Sequence, residues 1–182
     1  MIMTEDAAFR REQRQVAGGM AAAALTAIVA IGLALWQGGG AAPPVGERLA
    51  MALRLDLFVI VWLLAANGNV ARMRFFSAQD IAGSATTTAS EAVRRGNAIL
   101  QNTLEQVVLA VTVHLGLAAA LPRPDLLLVT LVVLFGLGRL LFWLGYARGA
   151  AGRAFGFALT FYPTAFALVI GLILVLTGRA VI

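Results

Sequence analysis

The sequence predicts an all-α integral membrane protein with five transmembrane helices, and three observations support this fold class. Of the 182 residues, 60% are hydrophobic, whereas soluble domains usually contain about 45–50% apolar residues. The apolar residues form five runs, each near the roughly 20 residues with which a helix crosses about 30 Å of hydrocarbon. Charged residues lie mostly between the runs. Helices are expected because lipid offers no partner to an unpaired backbone group.

Each run has its own features. The runs are 17–36, 49–66, 103–121, 127–146 and 154–176. The first is rich in small residues, and the charged segment 1–16 before it is too long and too acidic for the lead of a signal peptide, so it is interpreted as a cytoplasmic arm. The second run is the weakest, because Arg54 and Asp56 interrupt it. Pro163 lies within the last run, where membrane helices tolerate proline.

The connections carry loop-forming residues. QGGGAAPPVGE separates the first two runs, and LPRPD predicts a tight turn between the third and the fourth. The polar segment 67–97 is predicted to be one long cytoplasmic loop with a low-complexity centre, helical in part towards its C-terminal end.

Arginine positions predict the topology, because basic residues are enriched in cytoplasmic loops. With the N-terminus in the cytoplasm, ten arginines lie on the inner side: Arg10, Arg11, Arg14, Arg72, Arg74, Arg94, Arg95, Arg139, Arg148 and Arg153. Four lie on the outer side: Arg48, Arg54, Arg123 and Arg179. The bias predicts a cytoplasmic N-terminus and a periplasmic C-terminus.

Composition argues against two classes of site. The chain has no cysteine and one histidine, which argues against thiolate and zinc sites, and no metal is predicted. The net charge of +5 does not predict nucleic-acid binding, because the arginines flank apolar runs instead of forming one patch.

The third run has an unusually polar entrance, EAVRRGNAILQNTLEQ (91–106). Asn102 and Glu105 are three residues apart and therefore share a helix face. One interpretation is a helix end whose arginines and amides anchor it at the interface. The other is a functional site, because a carboxylate at the edge of the lipid is costly unless it is paired.

A second polar stripe follows in RLLFWLGYARGAAGR (139–153), where Arg139, Tyr146 and Arg153 recur every seven residues on one helix face. Both stripes are predicted to reach the cytoplasmic side. Together they predict a pocket for an anionic ligand, with arginines for carboxylates and a carboxylate for an ammonium group. Alternatively, Glu105 and Arg139 neutralise each other across the helix interface. The two interpretations are compatible.

These two stripes resemble those of the MAPEG family, the membrane-associated proteins of eicosanoid and glutathione metabolism. The resemblance rests on the N-x-x-E of QNTLEQ (101–106) and on the pattern of 139–153, and it extends over residues 49–178. It implies a four-helix bundle, usually a homotrimer, to which the first helix of this chain is an addition. It also implies glutathione as co-substrate, bound between subunits near the cytoplasmic face.

The resemblance assigns roles residue by residue. Asn102 and Glu105 would contact the peptide, Tyr146 would hydrogen-bond near it, and Arg153 would act on the sulfur as the catalytic arginine. The wider set of implied or compensating glutathione contacts is Arg139, Arg148, Gln101, Arg94, Arg95, Arg72 and Arg74. The thiolate would then attack a lipophilic electrophile or hydroperoxide dissolved in the bilayer.

Three positions depart from the family pattern. Ala98 stands where an arginine is common, Leu100 where a glutamine is frequent, and Phe142 where a tyrosine is frequent. The first hypothesis is therefore a glutathione-dependent transferase or peroxidase of a bacterial inner membrane. The second is a non-catalytic scaffold or lipid-binding protein with the same bundle.

The third hypothesis is a small transporter or channel subunit, in which Asp56 and His114 would line a pathway. The preferred interpretation of His114 is a packed or hydrogen-bonded histidine at a helix interface. Asp56 is interpreted as making a structural polar contact, for which the added first helix is the suggested partner.

Overall fold

The computed structural model describes residues 2–37, 41–83 and 89–178, and within these ranges it is helical without strands. Five α-helices follow one another: α1 (Ile2–Gln37), α2 (Val45–Phe75), α3 (Glu91–Ala120), α4 (Asp125–Gly145) and α5 (Gly149–Leu176). A single 3-10 turn, Tyr146–Arg148, joins the last two. Residues 38–40 of the predicted glycine-rich break, 84–88 of the low-complexity centre and Arg179 lie outside the described residues.

Four helical stretches in the described chain are long and apolar enough to cross a membrane: Asp6–Gln37, Val45–Phe75, Glu91–Ala120 and Asp125–Leu176. Large apolar side chains on their outer surfaces are well exposed, among them Leu57, Phe58 and Leu64 at 65–69%. In water such surfaces would be an aggregation liability. The chain is an integral membrane protein.

The last stretch, of 52 residues, combines α4 and α5. At 1.5 Å per residue a straight helix of this length would extend for about 78 Å, far beyond the hydrocarbon. The chain instead folds back at the 3-10 turn, and Gly149 follows it with a φ of +79°. Such a left-handed angle favours glycine. The two helices then lie side by side.

The helices extend farther than the apolar runs predict. The predicted loop 67–97 is too long at its N-terminal end, since α2 continues to Phe75, and the helix predicted in its C-terminal part is the start of α3 at Glu91. These polar turns are helical because α2 and α3 remain packed beyond the apolar segments: Val70 and Val93 are buried, and Met73 closely approaches Gly96. Likewise, the predicted arm 1–16 continues α1 back to Ile2.

The connection between α2 and α3 is organised around Asp80. Its carboxylate accepts hydrogen bonds from the Ser77 hydroxyl at 2.6 Å and from the Ser90 backbone N–H at 2.9 Å. These bonds favour the ionised form and hold the pKa of Asp80 below its usual value. The Ser90 side chain in turn accepts from the N–H of Val93 and caps α3.

The antiparallel contact between α4 and α5 depends on glycine. A Cβ at Gly138 would lie 2.8 Å from the backbone nitrogen of Thr160, and one at Gly145 would collide with the backbone of Gly152. A Cβ at Gly156 would collide with the backbone nitrogen of Phe142 and lie 2.7 Å from the carbonyl carbon of Leu141. Small residues permit this close backbone approach in membranes. The approach sets the relative positions of Phe142, Tyr146 and the start of α5.

We expect Gly156→Ala to destabilise the protein by about 1–3 kcal/mol, because the added methyl group meets backbone atoms that move only if the two helices separate. The measurement is equilibrium unfolding in mixed micelles, followed by circular dichroism. Gly171→Ala on the same helix is the matched control, since its Cβ would meet only the flexible Leu117 side chain at 3.4 Å. Equal stability of the two variants would contradict this account of the α4–α5 contact.

Candidate functional site

A cavity of about 450 Å³ lies where α3 and α5 begin and α4 ends. Its lining combines three polar side chains with apolar ones. The lining residues are Val16, Met20, Ala98, Asn102, Phe142, Tyr146, Ala150, Arg153, Ala154 and Phe157. No carboxylate is among them. Asn102, Tyr146 and Arg153, which the two sequence stripes predict to share a site, are thus brought together.

Arg139 lies behind Asn102 and is completely buried. Its Nη1 donates to Asn102 Oδ1 at 2.8 Å, and its Nε donates to Thr160 Oγ1 at 3.1 Å. The guanidinium carbon also lies 4.5 Å from the ring centroid of Phe142. Arg139 therefore orients the Asn102 amide, so that Asn102 faces the cavity with its oxygen already engaged.

The alternative in which Glu105 neutralises Arg139 is wrong in this structure. Glu105 is exposed and accepts a hydrogen bond from Gln101 Nε2 at 2.9 Å. Across the described chain, Arg139 has no carboxylate within ion-pair distance, and its Nη2 is buried without a hydrogen-bond partner. Asn102 and not Glu105 is the partner of Arg139 on α3, because the shorter Asn102 side chain lies on the inner side of that helix. A buried cation without a counter-charge is costly, which makes this end of the bundle attractive to anions.

Tyr146 and Arg153 face each other across the 3-10 turn. The guanidinium carbon of Arg153 lies 4.6 Å from the centroid of the Tyr146 ring, a cation–π contact that holds the arginine at the cavity. The Tyr146 ring in turn meets Phe142 edge to face at 5.3 Å between centroids. The aromatic stack fixes the direction of the guanidinium while leaving its N–H donors available to a ligand.

The remaining implied glutathione contacts lie outside this cavity in a single subunit. Arg95 pairs with Glu91 at 3.0 Å, and Arg72 donates to Asn69 at 3.1 Å. The others off the lining are Arg74, Arg94, Gln101, Glu105 and Arg148. All seven except the half-buried Arg74 are exposed. None of these seven side chains lines the cavity of its own subunit, and their arginines are called the rim arginines below.

Comparison with known proteins identifies the family of the chain. A family model described as the MAPEG family matches residues 49–173. The chain belongs to the MAPEG family. The resemblance found in the two sequence stripes is therefore confirmed. No curated protein and no solved structure matches the chain.

The matched part of this MAPEG protein comprises α2 to α5, and α1 lies before it. Members of the family include glutathione transferases and synthases as well as non-catalytic proteins, so membership does not by itself assign an activity. The described ranges contain no group of three or more His, Asp or Glu side chains that could hold a metal ion. The cavity wall offers an amide, a phenol and one guanidinium group, and the Arg139 guanidinium is buried behind the amide.

Sequence reasoning missed several features of the site. Thr160 positions Arg139. The only feature of the sequence that could have indicated this role is that Thr160 belongs to a buried series of small residues with Gly156 and Thr164. Val16 and Met20 belong to α1, outside the family pattern, and nothing in their local sequence marks them as cavity residues. Ala98, noted as a departure from the family, does line the cavity.

A buried polar pair lies farther along α2 and α3. The Nδ1 of His114 and the Oδ1 of Asp56 are 2.5 Å apart, and each side chain is 1% exposed. The interpretation of His114 as a hydrogen-bonded interface histidine agrees with this contact. The suggested partner of Asp56, the first helix, is wrong, because the partner is His114 on α3. The second carboxylate oxygen of Asp56 has no hydrogen-bond partner.

Proposed function

We propose that this MAPEG protein is a membrane-bound glutathione-dependent transferase or peroxidase. The observation that carries the proposal is the uncompensated positive charge at the cavity. Arg153 lines it and Arg139 lies directly behind it, while no acidic side chain lies on its wall. Glutathione brings two carboxylates and an ionisable thiol, so it supplies the negative charge that the cavity lacks.

The residues present fit glutathione by their donor set. Arg153 keeps its N–H groups available for a sulfur or a carboxylate, and the Tyr146 hydroxyl and the Asn102 amide add neutral hydrogen-bonding groups. Glu105, exposed one turn beyond Asn102, is the candidate partner for the γ-glutamyl ammonium. The rim arginines are then available to the outer carboxylate, whether from this subunit or from a neighbouring one.

Arg153 is the proposed catalytic residue. A free thiol has a pKa of about 8.5 and is mostly protonated at neutral pH. An adjacent guanidinium stabilises the thiolate, the nucleophilic form, and lowers that pKa. With an unsaturated carbonyl acceptor, the sulfur forms a bond to the β-carbon, the π-electrons move towards the carbonyl, and the α-carbon takes a proton from solvent. With a hydroperoxide, the thiolate attacks the O–O bond, which breaks to release an alcohol and leaves a sulfenic acid on the sulfur, and a second glutathione then displaces water and forms the disulfide.

The proposed topology has five crossings, with the cavity on the cytoplasmic side of a bacterial inner membrane. The ten-to-four arginine distribution supports a cytoplasmic N-terminus, and the reversal at the 3-10 turn supports counting α4 and α5 as separate crossings. A homotrimer is proposed because the rim arginines of one subunit lie off its own cavity, where a neighbouring subunit would use them.

The alternative is a non-catalytic MAPEG scaffold or lipid-binding protein. Ala98 favours it, because this exposed cavity residue offers no donor where the family commonly has an arginine. Phe142 removes a second polar group, since its ring packs on Arg139 without a hydroxyl. A protein of this class would bind lipid in the cavity and would not bind glutathione.

Calorimetric titration of glutathione into the purified oligomer in detergent tests the proposal. We expect saturable binding that releases a proton, measured as a dependence of the heat on the buffer's ionisation enthalpy, because the bound thiol ionises. S-methylglutathione is the matched control: it should bind without proton release. Glu105→Gln should weaken the affinity by up to about fivefold, the value of a partly exposed ion pair. No binding at millimolar glutathione to a folded oligomer would favour the scaffold.

A further inference from the structure

The helix that precedes the family match forms part of the cavity. The match begins at residue 49, yet Val16 and Met20 of α1 are among the lining residues. Among the described helices α1 packs against α5 and α4 but not against α3, whose Ala98 and Asn102 also line the cavity. One side of this site is therefore built from residues that the four-helix unit of the family does not contain.

The part of α1 that forms this wall packs tightly against α5. Ala23 and Ala27, one and two turns beyond Met20, are fully buried. A Cβ at Gly19 would lie 3.3 Å from the backbone nitrogen of Phe155 and 3.5 Å from the Ala154 Cβ, so α1 runs in close contact with the helix that carries Arg153. The positions of Val16 and Met20 relative to Arg153 are fixed by helix packing and not by a loop.

The cavity has a polar side and an apolar side. Asn102, Tyr146 and Arg153 supply all of its polar side chains, whereas the α1 wall is apolar and continues into Ala154 of α5, which packs beside Gly19. Val16 and Met20 are half-buried, so part of each side chain is free to contact a ligand. Their apolar side chains offer a hydrocarbon surface instead of strong hydrogen bonds, and the Met20 thioether adapts to irregular shapes.

We infer that Val16 and Met20 form the acceptor wall of the site and limit the size of the uncharged, apolar electrophile that reaches the sulfur. This inference rests on the proposed function and states where its second substrate, the electrophile, binds. The peptide occupies the polar side, because the guanidinium groups are there. The acceptor occupies the space between Arg153 and α1, where it loses no hydrogen bonds on leaving the hydrocarbon.

The test uses the full-length protein in liposomes and a series of 2-alkenals from 2-butenal to 2-decenal. Met20→Trp narrows the space beside α1, so we expect kcat/KM for 2-decenal to fall about tenfold or more, the scale on which apolar pockets discriminate by size. The value for 2-butenal should change less than about twofold. Taking the ratio of variant to parent at each chain length cancels differences in membrane partitioning.

Leu25→Trp is the matched control, because Leu25 is 63% exposed on α1 and does not line the cavity. It should leave the whole series unchanged, and the glutathione affinity of Met20→Trp should equal that of the parent. Met20→Ala should shift the preference in the opposite direction, towards longer acceptors.

The outcomes separate the inference from the function on which it rests. A parent that binds and conjugates glutathione, with Met20→Trp affecting all chain lengths equally or none, overturns the acceptor wall alone. A folded parent that binds no glutathione overturns the proposed function and the acceptor wall together. A chain-length-dependent loss that is also seen in Leu25→Trp overturns the wall, since a general change in α1 would then explain it.

Discussion

Arg153→Leu is expected to lower kcat/KM for glutathione conjugation by about 10²–10³-fold, the usual loss when one electrostatic stabiliser of a reacting group is removed. The guanidinium is held 4.6 Å from the centroid of Tyr146 at the cavity, and no acidic residue on the lining competes for it. Without it, bound glutathione keeps an ordinary thiol pKa, and little thiolate forms at neutral pH.

The pH profile is the decisive measurement for this variant. At saturating glutathione, kcat/KM of the parent for the electrophile should be nearly constant above neutral pH, because the thiolate of the bound peptide is already formed. For Arg153→Leu it should rise tenfold per pH unit up to about 8.5, the pKa of a free thiol. Arg153→Lys should retain intermediate activity, since it keeps the charge but loses the planar fork.

Arg54→Leu is the matched control, because Arg54 is an exposed arginine of α2 that lies off the cavity lining. Its kcat/KM should stay within a few-fold of the parent value. If Arg153→Leu conjugated as fast as Arg54→Leu, with the same pH profile, the catalytic role would belong to another group.

The second large effect concerns stability. His114→Leu is expected to destabilise the protein by about 3–5 kcal/mol, because it leaves a buried carboxylate uncompensated. Asp56 is 1% exposed, its Oδ1 has His114 as partner, and its Oδ2 already lacks one. After the substitution neither oxygen would be paired. Equilibrium unfolding in mixed micelles measures the change.

The double variant Asp56→Leu/His114→Leu separates the pair from simple loss of packing. Replacing both members of a buried pair by apolar groups is often neutral or stabilising. We therefore expect the double variant to recover most of the stability that His114→Leu loses, with a coupling energy well above the few tenths of a kcal/mol that independent sites show. Additive effects of the two substitutions would mean that the contact contributes little.

The membrane spans and the centre of the site were predictable from local pattern. Apolar runs are read directly from the sequence. The predicted single helix face of Arg139, Tyr146 and Arg153 is wrong, because the chain reverses at the 3-10 turn and Arg153 lies on α5. The helical state of residues 91–97 agrees with the partly helical end predicted for segment 67–97, whereas that of residues 67–75 was not predicted, because they are polar. Their helical state comes from packing between Val70, Met73 and Gly96, a tertiary contact that propensity does not encode.

The contacts that needed three dimensions were missed. The sequence suggests Glu105 as the partner of Arg139. In the structure Arg139 instead donates hydrogen bonds to Asn102 and Thr160, because these side chains lie within its reach. The pair Asp56–His114 joins residues 58 positions apart, and the local sequence around either residue does not indicate its partner. The α1 wall depends on how the first helix lies across the last, which no spacing within either helix reveals.

The sequence separations within the site imply an order of assembly. Tyr146 and Arg153 are neighbours across a tight turn, Arg139 bonds to a residue 21 positions away, and Asn102 is 37 positions from Arg139. Closing such short loops costs little entropy, and the cost grows with loop length. Gly19 of α1 packs beside Ala154, so this contact forms only after residue 154 has been made. We therefore expect the last hairpin to form the cationic part of the site and the α1 wall to pack onto it afterwards. A chain that stops before α5 would leave the first helix without its main docking surface, because only its smaller contact with α4 would remain.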